Sequence, residues 1–194
     1  MSAVAGVAGL VAIAAVTPGP NNVIVLRAAS RGGVRGAWPA IVGVVLGGLV
    51  MLAVALAASD AAFAVAPGLH AVVGVAGCAY LAWLGLGMVR RAGRASDGPA
   101  RGLPAVSVAG LFAFQFLNPK AWVMITTAIG AMPVGAPVWP LAVVFTAIPA
   151  TCLALWAIAG AALARRLAQP RVATWADRGM GVLLIATALA LVLP

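Results

Sequence analysis

Six long stretches of this 194-residue chain carry no formal charge, and charged residues occur only between them. The uncharged runs cover residues 1–26, 36–59, 61–89, 102–119, 121–164 and 179–194. A helix that crosses a bilayer needs about 20 predominantly apolar residues. We therefore predict an all-α membrane protein with six transmembrane helices, near residues 3–28, 36–58, 69–90, 104–131, 141–164 and 173–193.

The composition excludes the soluble classes of protein. Apolar residues make up 64% of the chain and charged residues 8%, whereas a soluble domain is about 45–50% apolar and about 25% charged. Disorder is excluded as well, because it requires few apolar residues and much charge. The net charge of +9 does not indicate a nucleic-acid partner, since all the arginines lie in three short windows between apolar runs.

Residues that could support catalysis or bind a metal are few and dispersed. The sequence has one histidine, three aspartates and two cysteines, and Cys78 and Cys152 lie in separate apolar runs. No nucleophile–base arrangement or metal-ligand spacing results. We therefore predict that the protein is not an enzyme and needs neither a cofactor nor a metal.

The positions of the basic residues predict the direction in which the chain crosses the membrane. The loops between helices 1 and 2, 3 and 4, and 5 and 6 contain Arg27, Arg31, Arg35, Arg90, Arg91, Arg94, Arg101, Arg165, Arg166, Arg171 and Arg178. Cytoplasmic loops carry an excess of Lys and Arg. We therefore expect these loops to be cytoplasmic and both termini to lie outside.

The chain is predicted to form a single transmembrane domain, 1–194, built from two repeats. Repeat 1 covers about residues 1–95 and repeat 2 about residues 102–194. Because each repeat holds three helices, an odd number, two similar halves must have opposite orientations. Inverted repeats of this kind are common in secondary transporters.

Proline next to asparagine interrupts two of the predicted helices. Helix 1 contains TPGPNN at residues 17–22, and helix 4 contains NPK at residues 118–120. Proline removes a backbone donor and clashes with the preceding turn. We therefore expect free carbonyls one turn before these prolines, at Ala14, Val16 and Gln115. Free backbone groups in a membrane must face protein or a wet cavity.

Each interruption also begins a new half-helix. Asn118 is a favourable N-cap and Pro119 suits the first helical position. In helix 1 either Thr17-Pro18 or Gly19-Pro20 can take these positions. Half-helix N-termini attract anions such as a carboxylate, and free carbonyls can accept from an ammonium group. The two broken helices 1 and 4 together would suit a zwitterion such as an amino acid.

Lys120 is the only basic residue outside the three arginine windows. A lysine at the centre of a membrane helix costs about 2.5–3.5 kcal/mol on insertion scales, so we expect it either to snorkel to the surface or to hold an anionic group in a cavity. A lone proline is usually only a kink, but two matched breaks favour a function. The predicted substrate-binding residues are Thr17, Pro18, Gly19, Pro20, Asn21, Gln115, Asn118, Pro119 and Lys120.

Several motifs along nearly the whole chain resemble the LysE/RhtB family of amino-acid exporters. They are Thr17–Asn21, the Arg/Gly segment Arg31–Gly36, the glycines Gly43 and Gly47, the segment Gly77–Gly85, and Asn118–Ala121. The resemblance implies a secondary transporter that exports amino acids or their derivatives across the bacterial inner membrane, driven by the proton gradient. Its expected partners are the small-molecule substrate and membrane lipid; a homodimer is an open alternative.

The sequence departs from the family at one position. Many relatives carry an acidic or polar residue where this chain has Gly48, and the three aspartates lie near predicted helix ends. We therefore expect a neutral or hydrophobic amino acid as the substrate. Asp60 and His70, both near the outer face, are fallback titrating groups, although a solvated loop position is the favoured interpretation for each. A channel or facilitator for small zwitterions on the same helices is the alternative function.

Overall fold

The computed structural model describes residues 3–58, 75, 78–79, 82–90, 92, 107–133 and 135–192. Its helices are α1 (Ala3–Val16), α2 (Pro20–Ala58), α3 (Val108–Phe116), α4 (Pro119–Gly130), α5 (Trp139–Ala162), the short α6 (Ala164–Leu167) and α7 (Pro170–Val192). Residues 82–90 are also helical, and no strand occurs in the part of the chain described. The all-α prediction is confirmed there. Most of the predicted third helix before residue 82, and Asp60, His70 and Asp97, lie outside the described residues.

Three of these helices are long and apolar enough to cross a membrane, over Pro20–Ala57, Trp139–Ala162 and Pro170–Leu189. The pair α3 and α4 is bent by 65° and passes the same test as one unit, which gives up to four spans among the described residues. α1 is apolar but has only 14 residues. Six spans in two inverted repeats therefore stay a prediction.

α2 consists of two helices that meet at a pair of glycines. Gly32 has φ −119° and ψ 15°, and Gly33 has φ 65° and ψ −175°, so the helical geometry is lost at these two residues. Glycine adopts a positive φ without steric cost because it has no Cβ. The sequence predicts a longer connection, between residues 28 and 36. The observed one is shorter because two glycines suffice to redirect the chain.

Three apolar clusters form the core of the described region. The smallest joins α2 and α7 to the helical residues 82–90, with Val23 and Leu184 buried in it, and the other two lie around the breaks in the helices. One of these two joins α1 and α4 to the end of α2 and the start of α5, with Val11 and Ile125 fully buried in it. The other joins α3 to both parts of α2 and to the second half of α5, with Leu111 and Leu153 buried. The breaks between α1 and α2 and between α3 and α4 both fall at the junction of these two clusters.

Glycines on α2 let α3 approach at backbone distance. A Cβ atom at Gly47 would lie 2.9 Å from the Cβ of Gln115 and 2.9 Å from the carbonyl oxygen of Phe112. A Cβ at Gly43 would meet the carbonyl oxygen of Val108. Small residues permit such close packing between membrane helices. This contact presses the Gln115 side chain against α2.

Replacing Gly47 with alanine is expected to lower the free energy of unfolding by about 1–3 kcal/mol, the usual cost of overpacking a tight contact. Gly9 is the matched control, because a Cβ there meets nothing within 4 Å. Gly9→Ala should leave stability unchanged or raise it slightly, since alanine is the better helix former. Thermal unfolding of the purified variants in detergent measures both effects. Equal melting temperatures for the two variants would contradict the packing described.

Candidate functional site

The first break separates α1 from α2 at residues 17–19. The amide of Thr17 still donates to the carbonyl of Ile13 at 3.0 Å, and its hydroxyl donates to the same oxygen at 2.7 Å. The second helix starts at Pro20, and the amide of Val23 donates to the carbonyl of Gly19 at 3.1 Å. Of the two starts that the sequence allows, the structure therefore has Gly19-Pro20.

Asn22 satisfies the carbonyl groups at the end of α1. Its side-chain amide donates to the carbonyl of Ala15 at 3.0 Å and to that of Thr17 at 3.1 Å. These acceptors lie one residue beyond Ala14 and Val16, where helical counting placed the free carbonyls. The side chain of Asn22 is only 6% exposed. Sequence reasoning missed this residue, although its place beside Asn21 in the TPGPNN motif marked it.

The second break separates α3 from α4 at Leu117 and Asn118. Asn118 is the N-cap of α4: its side-chain oxygen accepts from the amide of Lys120 at 3.2 Å, and Pro119 is the first helical residue. The prediction of a free carbonyl at Gln115 is wrong, because this carbonyl accepts from the amide of Asn118 at 3.0 Å. The reason is local. Leu117 keeps αR geometry, so the last turn of α3 tightens and forms a hydrogen bond between residues i and i+3 in place of the lost i to i+4 bond.

Hydrogen bonds connect the two breaks. The side-chain amide of Asn21 donates to the side-chain oxygen of Gln115 at 2.8 Å, and the ammonium of Lys120 donates to the carbonyl of Thr17 at 2.8 Å. The Asn118 amide donates to the same oxygen of Gln115 at 3.3 Å. Two stretches of chain far apart in sequence are therefore joined where each has lost its helical hydrogen bonds.

A small cavity, about 60 Å³ in volume, lies between the breaks. Six of the predicted site residues line it: Gly19, Pro20, Asn21, Gln115, Asn118 and Lys120. Three do not; Thr17 offers its carbonyl to Lys120, and Pro18 and Pro119 lie beside the lining residues in sequence. The sequence did not foresee the contribution of α5, which supplies Phe145, Pro149 and Leu153 to the wall.

The cavity offers both donors and acceptors to a ligand. Among the described residues that line it, Lys120 is the one charged residue and none is a carboxylate. The side-chain oxygen of Asn21 is buried and has no hydrogen-bond partner in the part of the chain that the structure describes. A buried acceptor without a partner costs about 1–3 kcal/mol, so this oxygen is suited to accept from a bound molecule. No cluster of three His, Cys, Asp or Glu that could hold a metal occurs among the described residues.

The family model described as LysE type translocator matches residues 12–194, which include both breaks. This chain belongs to the LysE translocator family. The resemblance seen in the sequence motifs is thereby confirmed. Members of the family are translocators rather than enzymes. Together with the helices that are long and apolar enough to cross a membrane, this makes the chain an integral membrane protein of an amino-acid-exporting family.

Two relatives of the translocator carry the same name. The cysteine/O-acetylserine efflux protein of Klebsiella pneumoniae is 31% identical over 156 residues, which cover 76% of this chain and 76% of that protein. The cysteine/O-acetylserine efflux protein of Escherichia coli K12 is 31% identical over 121 residues, which cover 60% of this chain and 58% of that protein. No solved structure matches the chain significantly.

Replacing Gln115 with leucine is expected to destabilise the translocator by about 1–3 kcal/mol, because the buried amides of Asn21 and Asn118 lose their common acceptor. Gln169 serves as the control, since it is exposed between α6 and α7. Gln169→Leu should leave the melting temperature in detergent unchanged. A wild-type melting temperature for Gln115→Leu would show that the bridge between the breaks contributes nothing to stability.

Proposed function

We propose that this LysE translocator is a secondary transporter that exports a small neutral amino acid, or a close derivative, across the bacterial inner membrane. One observation carries the proposal: a cavity lies between the two breaks, and its described lining residues include a single cation, a buried free acceptor and no carboxylate. The relatives named as cysteine/O-acetylserine efflux proteins support the same class of substrate.

The proposed pose places the two charged ends of the substrate on different break residues. The carboxylate accepts from the ammonium of Lys120, which lies in the first turn of α4, where the helix dipole also favours an anion. The α-ammonium donates to the free side-chain oxygen of Asn21. In this pose Lys120 exchanges its hydrogen bond to Thr17 for one to the substrate. Binding therefore loosens one of the links between the two breaks.

The apolar wall limits the side chain of the substrate. The cavity is also lined by the apolar residues Val44, Met124, Ile125, Phe145 and Leu153. A charged substrate side chain would be desolvated against them without a partner, which is strongly unfavourable. The small cavity volume and this wall favour a short, uncharged side chain, in line with the expectation drawn from Gly48.

The proposal includes six spans in two inverted repeats, with both termini outside. The broken stretches α1–α2 and α3–α4 support it, since each repeat then begins with a helix interrupted near its middle. Exposed tryptophans support the membrane placement: Trp38 and Trp175 lie near the arginine-rich ends of their helices, and Trp139 starts α5. Aromatic residues concentrate at membrane interfaces in this way.

Transport would proceed by alternating access around the breaks, with proton antiport as the resemblance implies. Counterflow in proteoliposomes tests this function. Liposomes loaded with unlabelled L-cysteine under reducing conditions are expected to accumulate labelled L-cysteine, and O-acetyl-L-serine should compete. L-lysine and L-glutamate should not compete. An imposed pH gradient should drive accumulation of the labelled amino acid against its concentration gradient. A channel would instead let the amino acid through without a pH gradient and would show no counterflow. Absence of counterflow with every neutral amino acid would refute the proposal.

Replacing Lys120 with glutamine is expected to raise the KM for the exported amino acid about 10- to 100-fold, because a hydrogen bond to a charged group contributes about 1.5–3 kcal/mol. Lys120→Arg should retain part of the affinity. Arg171, which is exposed, provides the control: Arg171→Gln removes one positive charge away from the cavity and should transport normally. Normal transport by Lys120→Gln would exclude an anion-binding role for this residue.

A further inference from the structure

A partly buried ion pair lies away from the cavity between the breaks, here called the central cavity. Arg27 of α2 and Asp177 of α7 form a salt bridge, and their side chains are 20% and 27% exposed. The sequence analysis used Arg27 only to predict the membrane orientation and placed Asp177 near a predicted helix end. No sequence pattern predicts the pairing of Arg27 with Asp177, because the two residues are far apart in the chain and come together only when the helices pack.

A second cavity, about 260 Å³ in volume, surrounds this pair between α2, α6 and α7. It is more than four times as large as the central cavity of about 60 Å³. Apart from the pair, its wall includes Ser30, Arg31 and small residues such as Ala168 and Ala176. The helices therefore form a cleft that holds two opposite charges side by side and has room for a small molecule.

The pair has unused hydrogen-bonding capacity. A guanidinium carries five N–H donors and a carboxylate about four acceptor positions, yet the Nε of Arg27 is buried without a hydrogen-bond partner among the described residues. A partly exposed ion pair contributes little net stability, because desolvation and solvent screening offset the attraction. A ligand that supplies one carboxylate and one ammonium would satisfy both partners.

We propose that Arg27 and Asp177 form a second binding site, here called the entrance site, for the zwitterionic backbone of the exported amino acid. The carboxylate binds to Arg27 with Arg31 nearby, and the α-ammonium binds to Asp177. This inference rests on the proposed function, both for the class of substrate and for the cytoplasmic position of the arginine-rich ends. The entrance site is then the first one that a cytoplasmic amino acid meets.

The entrance site and the central cavity share one helical segment. Arg27 and Asn21 both lie on the part of α2 that starts at Pro20 and precedes Gly32. A zwitterion on the entrance site competes with the Arg27–Asp177 pair and so weakens the tie between this segment and α7. The same segment carries the free acceptor of the central cavity, the side-chain oxygen of Asn21. Binding at the entrance site is therefore coupled, through this segment, to the central cavity that binds the substrate next.

Saturation binding of radiolabelled L-cysteine, kept reduced, to the purified translocator in detergent counts the sites. Wild-type protein should bind two equivalents per chain. Asp177→Asn should bind one, and so should Ala176→Phe, which fills the second cavity without removing either charge. Lys120→Gln, which removes the cation of the central cavity, should also bind one at concentrations that just saturate wild-type protein, now at the entrance site. N-acetyl-L-cysteine should fail to displace this bound cysteine, because it lacks the ammonium group. The one L-cysteine that each variant still binds, at its unmodified site, shows that the variant is folded.

Arg178→Gln is the control for this measurement, because Arg178 is exposed, adjoins Asp177 in sequence and stacks on Trp175 at 5.8 Å. It should bind two equivalents. One equivalent in wild-type protein, unchanged in Asp177→Asn, would overturn the entrance site and leave the proposed function standing. Two equivalents in Ala176→Phe would also overturn it. No binding by wild-type protein would refute both proposals together.

Discussion

The structure depends on the need of every backbone polar group inside a membrane to find a partner within the protein. Each of the two breaks leaves carbonyl or amide groups that a continuous helix would have paired. The side chains of Asn22 and Asn118 meet part of this need within their own break. The rest is met across the gap, where Lys120 donates to the carbonyl of Thr17. A single break surrounded by hydrocarbon would leave backbone groups without partners, which is unfavourable. The core of the protein must therefore hold the two breaks next to each other.

This mutual dependence explains why the site is polar. The side chains that complete the hydrogen bonding of the backbone are the ones that line the central cavity. The proposed substrate, with a carboxylate and an ammonium, offers the same kinds of group as the chain itself, so in the proposed pose it exchanges with these internal hydrogen bonds at small net cost. In that proposal, binding and conformational change draw on one set of contacts.

Local features of the site could be predicted from the sequence, and distant pairings could not. The helix interruptions, the N-cap Asn118 and the first-position Pro119 follow from the backbone chemistry of proline and asparagine, which acts within one turn. The bond between Asn21 and Gln115 and the pair formed by Arg27 and Asp177 depend on how helices pack, which periodicity and charge do not reveal. The carbonyl of Gln115 was mispredicted because helical counting ignores the tightened turn at Leu117.

The positive φ of Gly33 has a mechanical consequence for the half-helix that starts at Pro20. At one end of this half-helix, Asn21 is held by a side-chain hydrogen bond to Gln115. The other end stops at Gly32 and Gly33, where the helical geometry is lost. The backbone dihedrals of glycine rotate more freely than those of other residues, whereas the flanking helices are stiff. The angle between the two parts of α2 can therefore change at these glycines without disturbing a side-chain contact there, because a Cβ at either position would meet nothing within 4 Å.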